Sequence, residues 1–241
     1  MKKKGIALVE RQYLFPFVLI TSLFFLWGFA HAILDVLNKH FQELLTITRT
    51  HSAMIQATMY MGYFIMAIPA GLFINRHGYR KGVVLGLLLY GIGSLLFIPG
   101  QYIASFNMFL FSLFVIGCGL TFLETAANPY VTELGARETA ASRLNFAQSF
   151  NGLGCIFAPI LTGLLLFSDE DKGASGNVAL PYAVMGVIVL LAALAFMRVR
   201  LPEIPHEEEV DSEGHRVGLW AHKLFVFGLV ALFAYEVSEI S

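Results

Sequence analysis

Residues 106–131 read FNMFLFSLFVIGCGLTFLETAANPYV. From Phe106 to Leu123 the run carries no charged residue. A stretch of this length and polarity suits a helix crossing a hydrocarbon core of about 30 Å. Lipid offers no partners to an open backbone, so a long apolar run that crosses it folds as a helix. Glu124 then falls within the same run. An ionisable group at depth costs about 2.5–3.5 kcal/mol even on lenient insertion scales, and such groups face a bundle interior or a watery cavity. The stretch therefore predicts two things together: a helical membrane protein and a wet interior for Glu124 to face.

Composition agrees along the whole chain. Of 241 residues, 57% are hydrophobic, 14% aromatic and 14% charged, against about a quarter charged in soluble domains. Mean hydropathy is +0.69. The net charge of −1 and the lack of a basic block beyond Lys2-Lys3-Lys4 give no footprint for nucleic acid. Cys118 and Cys155 both lie in apolar runs and read as buried thiols.

Six runs reach spanning length: 13–37, 53–75, 82–100, 106–131, 144–167 and 180–198. Breaks are expected at Asn75–Gly82, at Pro99-Gly100 as a turn, and at the polar Ser168–Asn177. The chain divides into a cytoplasmic N-terminus (1–12), a six-helix bundle (13–198), a charged cytoplasmic linker (199–219) and the start of a seventh helix (220–241). With the N-terminus inside, all of the 16 Lys and Arg except Lys39, Arg49 and Lys172 fall on the cytoplasmic side, so an inside N-terminus is expected. The opening MKKK and Ala30-His31-Ala32 imitate a cleaved secretory signal. The apolar stretch between them exceeds the usual ~7–15 residues, and a retained first span is expected.

Polar residues recur on single faces of otherwise apolar helices. His31, Asp35 and Asn38 lie at i, i+4 and i+7, as do Gln56, Tyr60 and Tyr63. Thr121, Glu124 and Asn128 make a third stripe, and Asn145, Gln148 and Asn151 a fourth. Polar side chains also glue membrane helices together, at about 0.6–2 kcal/mol per contact. Glue does not require an ionisable group, which singles out Glu124 and Asp35; each is late in its own span, so Asp35 is expected toward the outside and Glu124 toward the inside. GFAHAILD (28–35) and GCGLTFLE (117–124) match in spacing from glycine to acid, suggesting an inverted three-plus-three repeat in which the first and fourth spans correspond. Pro69, Pro129 and Pro159 interrupt spans, where neighbours or water satisfy the freed carbonyls. No HExxH, CxxC, Walker A or GxSxG motif is present, so no metal, cofactor or catalytic residue is expected.

GLFINRHGYRKG (71–82) resembles the loop between the second and third helices of the major facilitator superfamily, with Gly71, Arg76, Gly78, Arg80 and Lys81 on its pattern. Asn75 stands where an acidic residue is typical. The resemblance implies a cytoplasmic gate there. SLFFLWGFAHAILDVLNKHF (22–41), FLETAANPYV (122–131) and SRLNFAQSFNGLG (142–154) together resemble the fucose/glucose/galactose:proton symporters. That family often has asparagines where this chain has His31, Ala32 and Leu34.

The resemblance implies proton coupling through Glu124 and Asp35. A sugar would be held among Gln148, Asn145, Asn151, Asn128, Gln56, Tyr60 and His31, with Trp27 packing its ring on a sugar face. It implies partners of a small sugar, protons and membrane lipid, and a bacterial inner-membrane location. Family members carry twelve helices in two halves, so the chain is expected to be one half, pairing with a second. The alternative expectation is a membrane protein that does not transport.

Overall fold

The computed structural model describes residues 7–44, 49–103, 105–167, 179–199 and 223–240. Much of the predicted linker and the Ser168–Asn177 loop fall outside them. The described residues are helical with short connections: α1 (Leu14–Leu44), α2 (Arg49–His77), α3 (Tyr79–Leu95), α4 (Phe97–Ile103), α5 (Phe106–Glu133), α6 (Ala140–Phe167), α7 (Ala179–Arg198) and α8 (Lys223–Ile240). Two compact units divide between Ile204 and Pro205. The first contains α1 to α7, and the second contains α8.

Two of the expected breaks shift. Pro99-Gly100 is not the turn; the chain bends at Leu96, and Pro99 sits in the first turn of α4. Proline is tolerated there because its missing N–H has no helical acceptor to lose. The break expected over Asn75–Gly82 shrinks to Gly78 alone, at φ 84°. Its N–H bonds to the carbonyl of Ile74 at 2.8 Å, closing the last turn of α2 in a backbone conformation that favours glycine. α2, α5 and α6 run through Pro69, Pro129 and Pro159. Ser105 caps α5, its hydroxyl accepting from the Met108 N–H at 3.4 Å.

Five helical stretches among the described residues are long and apolar enough to span a membrane: Arg11–Ile33, Met54–His77, Tyr79–Ile103, Phe106–Glu133 and Ala179–Arg198. The sequence reading expected a sixth in α6. That helix has 28 residues, and the side chains of its last turn, Leu165 to Phe167, lie outside the described residues.

Packing follows the expected repeat. α1 lies along α6, α2 along α5, and α3 along both α5 and α7. The two glycines aligned by the sequence match, Gly28 and Gly117, both sit at close crossings. A methyl on Gly28 would overlap the backbone of Asn151 in α6, and one on Gly117 that of Met59 in α2. The partner helices answer with their own glycines: Gly154 against Phe25 and Phe29, and Gly62 against Phe114, at 2.7 Å from its carbonyl. Small residues let membrane helices approach backbone to backbone, where dispersion and packing replace the hydrophobic effect. Between them lies a core that includes Leu23, Phe24, Met59, Ile116, Leu120, Leu123 and Ala127.

Candidate functional site

α1, α2 and α5 meet around a connected group of polar side chains. The indole Nε1–H of Trp27 donates to the hydroxyl of Tyr63 at 3.0 Å. The Tyr63 oxygen lies 3.4 Å from His31 Nε2, and His31 Nδ1 lies 3.1 Å from the carbonyl of Trp27. A carbonyl only accepts, so Nδ1 carries the proton in this bond and Nε2 is left to accept from Tyr63 in the neutral ring. The Tyr60 ring lies 6.3 Å from that of Tyr63, centre to centre, and tilted to it by 47°. Helical spacing brings this about: Trp27 and His31 are four residues apart on one face of α1, and Tyr60 and Tyr63 three apart on one face of α2.

Trp27 also lines a small pocket with Leu23, Phe24, Leu123, Glu124, Ala127 and Asn128. It has room for about one water molecule. Glu124 is half-buried there. Its helix packs along α2, the helix that carries Tyr63. The Asn128 side-chain oxygen, one turn along α5, is buried without a hydrogen-bond partner. An orphaned acceptor beside a carboxyl group costs on the order of 1–3 kcal/mol unless a donor visits it. A water, a ligand hydroxyl or a protonated Glu124 all supply one.

The remaining predicted residues divide. Asn151 donates to the carbonyl of Phe24 at 3.3 Å and so ties α6 to α1. Gln148 is half-buried, and Asn145 and Gln56 are exposed; none of the three lines the Trp27–Glu124 pocket. The side chain of Asp35 lies outside the described residues.

In the loop motif, Arg80 turns back into its own bundle. Its Nε donates to the carbonyl of Phe196 at 3.2 Å and its Nη2 to that of Met197, capping the C-terminus of α7. Asn75, Arg76 and Lys81 are exposed, and Gly71 and Gly78 half-buried.

Sequence reading missed the role of Arg143. It counted this residue among the basic helix ends, and the structure buries it completely. Its guanidinium donates to the carbonyls of Val131 (3.1 Å), Thr132, Ala136 (3.0 Å) and Leu8 (3.2 Å), and to the Thr139 hydroxyl (2.6 Å). It thereby joins the end of α5, the α5–α6 connection and the segment before α1. Burial pushes its pKa down, and the Glu133 carboxylate opposes that. It falls in the motif at 142–154, directly before the apolar run at 144–167, and nothing in its residue type or spacing separates it from a surface arginine.

Comparison with known proteins places this geometry. The Major Facilitator Superfamily model matches residues 17–237, and the chain belongs to that superfamily. It is 36% identical over 236 residues to a glucose/galactose transporter of Brucella abortus, covering 96% of this chain and 57% of that protein. It is 37% identical over 223 residues to the L-fucose-proton symporter of Escherichia coli, covering 85% and 51%. The chain spans about half the length of the curated relatives it matches. The crystal structure of a superfamily transporter, FucP, in the outward conformation superposes with TM-score 0.70 at 37% identity, over 84% of this chain and 54% of that one. A proton:xylose symporter, XylE, shares the fold alone, with TM-score 0.68 at 16% identity over 80% and 45%. The chain is a multi-pass membrane protein with the helical fold of this superfamily.

Proposed function

We propose that this chain forms half of a proton-coupled sugar symporter that takes up L-fucose or a related hexose across a bacterial inner membrane, with its N-terminus in the cytoplasm. The observation that carries the reading is the placement of Glu124: a half-buried carboxyl group on α5, sharing a pocket with an indole and with a buried, unsatisfied amide oxygen.

The chemistry runs as follows. Burial disfavours the charged form of a carboxyl group, so a proton arriving from outside is taken up on Glu124. A neutral carboxyl group donates as well as accepts, to a sugar hydroxyl or to Asn128. Proton and sugar then favour the same conformational state, which is the requirement for coupling. Asp35, on α1, is the second coupling carboxylate of the proposal. Gln148, Asn145, Asn128, Gln56 and Tyr60 offer hydroxyl-binding groups once a second six-helix half closes the cavity. Trp27 offers the face of a ring.

The relatives named as a glucose/galactose transporter and an L-fucose-proton symporter support the substrate class. The test is uptake of L-fucose, D-glucose and D-galactose into liposomes under an imposed pH gradient. It is run on this chain alone and on a covalent or co-reconstituted pairing with a second half. Saturable, gradient-driven uptake that Glu124→Gln removes bears out the reading. Uptake indifferent to the gradient in the paired form refutes it.

A second reading has its own support. α2 exposes Phe64 (84%), Ile68 (75%) and Leu72 (57%), a face suited to lipid or to a protein partner. A chain that only associates through that face, without transport, would give no uptake in either form.

A further inference from the structure

His31 is expected among the sugar-binding groups, yet in the structure its two ring nitrogens meet the Trp27 carbonyl and the Tyr63 hydroxyl. We infer that His31 is a second proton site, coupled to Glu124 through the hydroxyl of Tyr63. The inference rests on the reading of Glu124 as the coupling carboxylate.

With His31 neutral, its Nδ1–H is committed to the Trp27 carbonyl, and Nε2 accepts the single proton of Tyr63. The Trp27 indole donates to the same Tyr63 oxygen. A proton added at Nε2 turns that nitrogen from acceptor into donor. The Tyr63 oxygen has two lone pairs, so it accepts from both Trp27 and His31, and its own O–H must rotate away from the imidazole. Trp27 borders both groups, hydrogen-bonded to Tyr63 and lining the Glu124 pocket, so its indole stands between the hydroxyl and the volume that holds the carboxylate.

Transfer then balances without any further reactant. The His31 Nε2–H bond breaks as an O–H bond forms on Tyr63. The original Tyr63 O–H bond breaks as one forms on Glu124. His31 and Tyr63 end neutral and Glu124 protonated.

The neighbours of His31 are mapped by helix. Among the described residues, the ionisable side chains on the helices packed around this part of α1 are Tyr60 and Tyr63 on α2, Cys118 and Glu124 on α5 and Cys155 on α6, the Cys118 thiol facing the Gly62 carbonyl at 3.9 Å. The Cys155 thiol is turned to the carbonyl of Gly28 at 3.4 Å. Asp35 follows His31 one turn later on α1. Of these, only the carboxylates and the imidazole change charge near neutral pH, so the coupling is read between them.

The experiment uses this chain in lipid nanodiscs and follows the infrared carbonyl band of protonated carboxyl groups, assigned to Glu124 by its loss in Glu124→Gln. It is titrated from about pH 4 to about pH 9, the range in which perturbed carboxyl groups and histidines change charge. With His31 protonated, the rotated Tyr63 O–H donates to the carboxylate and favours its charged form; His31→Gln removes that state, so Glu124 holds its proton about threefold or more tightly than in the unaltered chain. His31→Asn gives the same shift and guards against a variant that fails to fold. Tyr63→Phe abolishes the difference between His31 and His31→Gln, because the connecting hydroxyl is gone. A Glu124 that titrates identically with and without His31 overturns the inference while leaving the carboxylate its role. A His31→Gln shift that persists in full on the Tyr63→Phe background overturns it too, since charge alone then acts through space. A band that never titrates removes Glu124 from coupling and the inference with it.

Discussion

The Trp27 indole N–H reaches the Tyr63 hydroxyl at 3.0 Å, across 36 residues of chain and from one membrane helix to another. The bond orients a large aromatic ring that also meets the His31 ring edge-on at 5.8 Å. Tyr63→Phe keeps the ring and deletes the acceptor. It is expected to lower stability by about 0.6–2 kcal/mol, read as the midpoint of thermal unfolding in detergent. On the Trp27→Phe background the same change should cost less, since the pair is already broken.

The crossings at Gly28 and Gly117 leave no space for a side chain. Gly28→Ala and Gly117→Ala should each destabilise by about 1–3 kcal/mol, because backbone rather than a movable side chain lies in the way. Gly71 is the control: it is helical with nothing within 4 Å of the position a methyl would take. Gly71→Ala should be neutral or stabilising by up to about 1 kcal/mol. Equal effects at all three positions in the unfolding assay would contradict the packing described.

Arg143 is held by carbonyls rather than by a facing carboxylate. Arg143→Met should therefore leave several buried acceptors unsatisfied and cost on the order of 3 kcal/mol. Arg143→Lys should rescue little of this, since one ammonium cannot reach in the directions a planar guanidinium spans. Protease protection of the segment before α1, which Arg143 holds through Leu8, should fall in parallel.

Arg80 closes the end of α7 from the start of α3. Arg80→Ala should cost about 1–2 kcal/mol by freeing the last carbonyls of α7, whereas Lys81→Ala, at an exposed position, should change stability by no more than about 0.5 kcal/mol. Thermal unfolding of the two variants side by side checks this.

The helical class, the spans over α1, α2, α3–α4, α5 and α7, and the unusual carboxylate were readable in the chain because lipid enforces them. A run such as 106–131 has no alternative to a helix, and a charge within it has to be accounted for. Even the pairing of Gly28 with Gly117 showed in their equal spacing to Asp35 and Glu124. Local signals failed where two turn-formers competed: Pro99 was compatible with a helix start, and the bend moved to Leu96.

What folding added was choice among equivalent polar groups. Periodicity put His31, Tyr63, Asn145 and Asn151 on helix faces without saying which faces meet. Packing of α1 on α6 spent Asn151 on a carbonyl of Phe24, and packing of α2 near α1 joined Tyr63 to Trp27 and His31. Arg143 makes the point most sharply. Its burial depends on carbonyls from residues 8, 131, 132 and 136, which converge only when three stretches of chain have come together. Hydropathy and periodicity are properties of one segment, whereas a hydrogen bond between helices belongs to neither segment until both are placed.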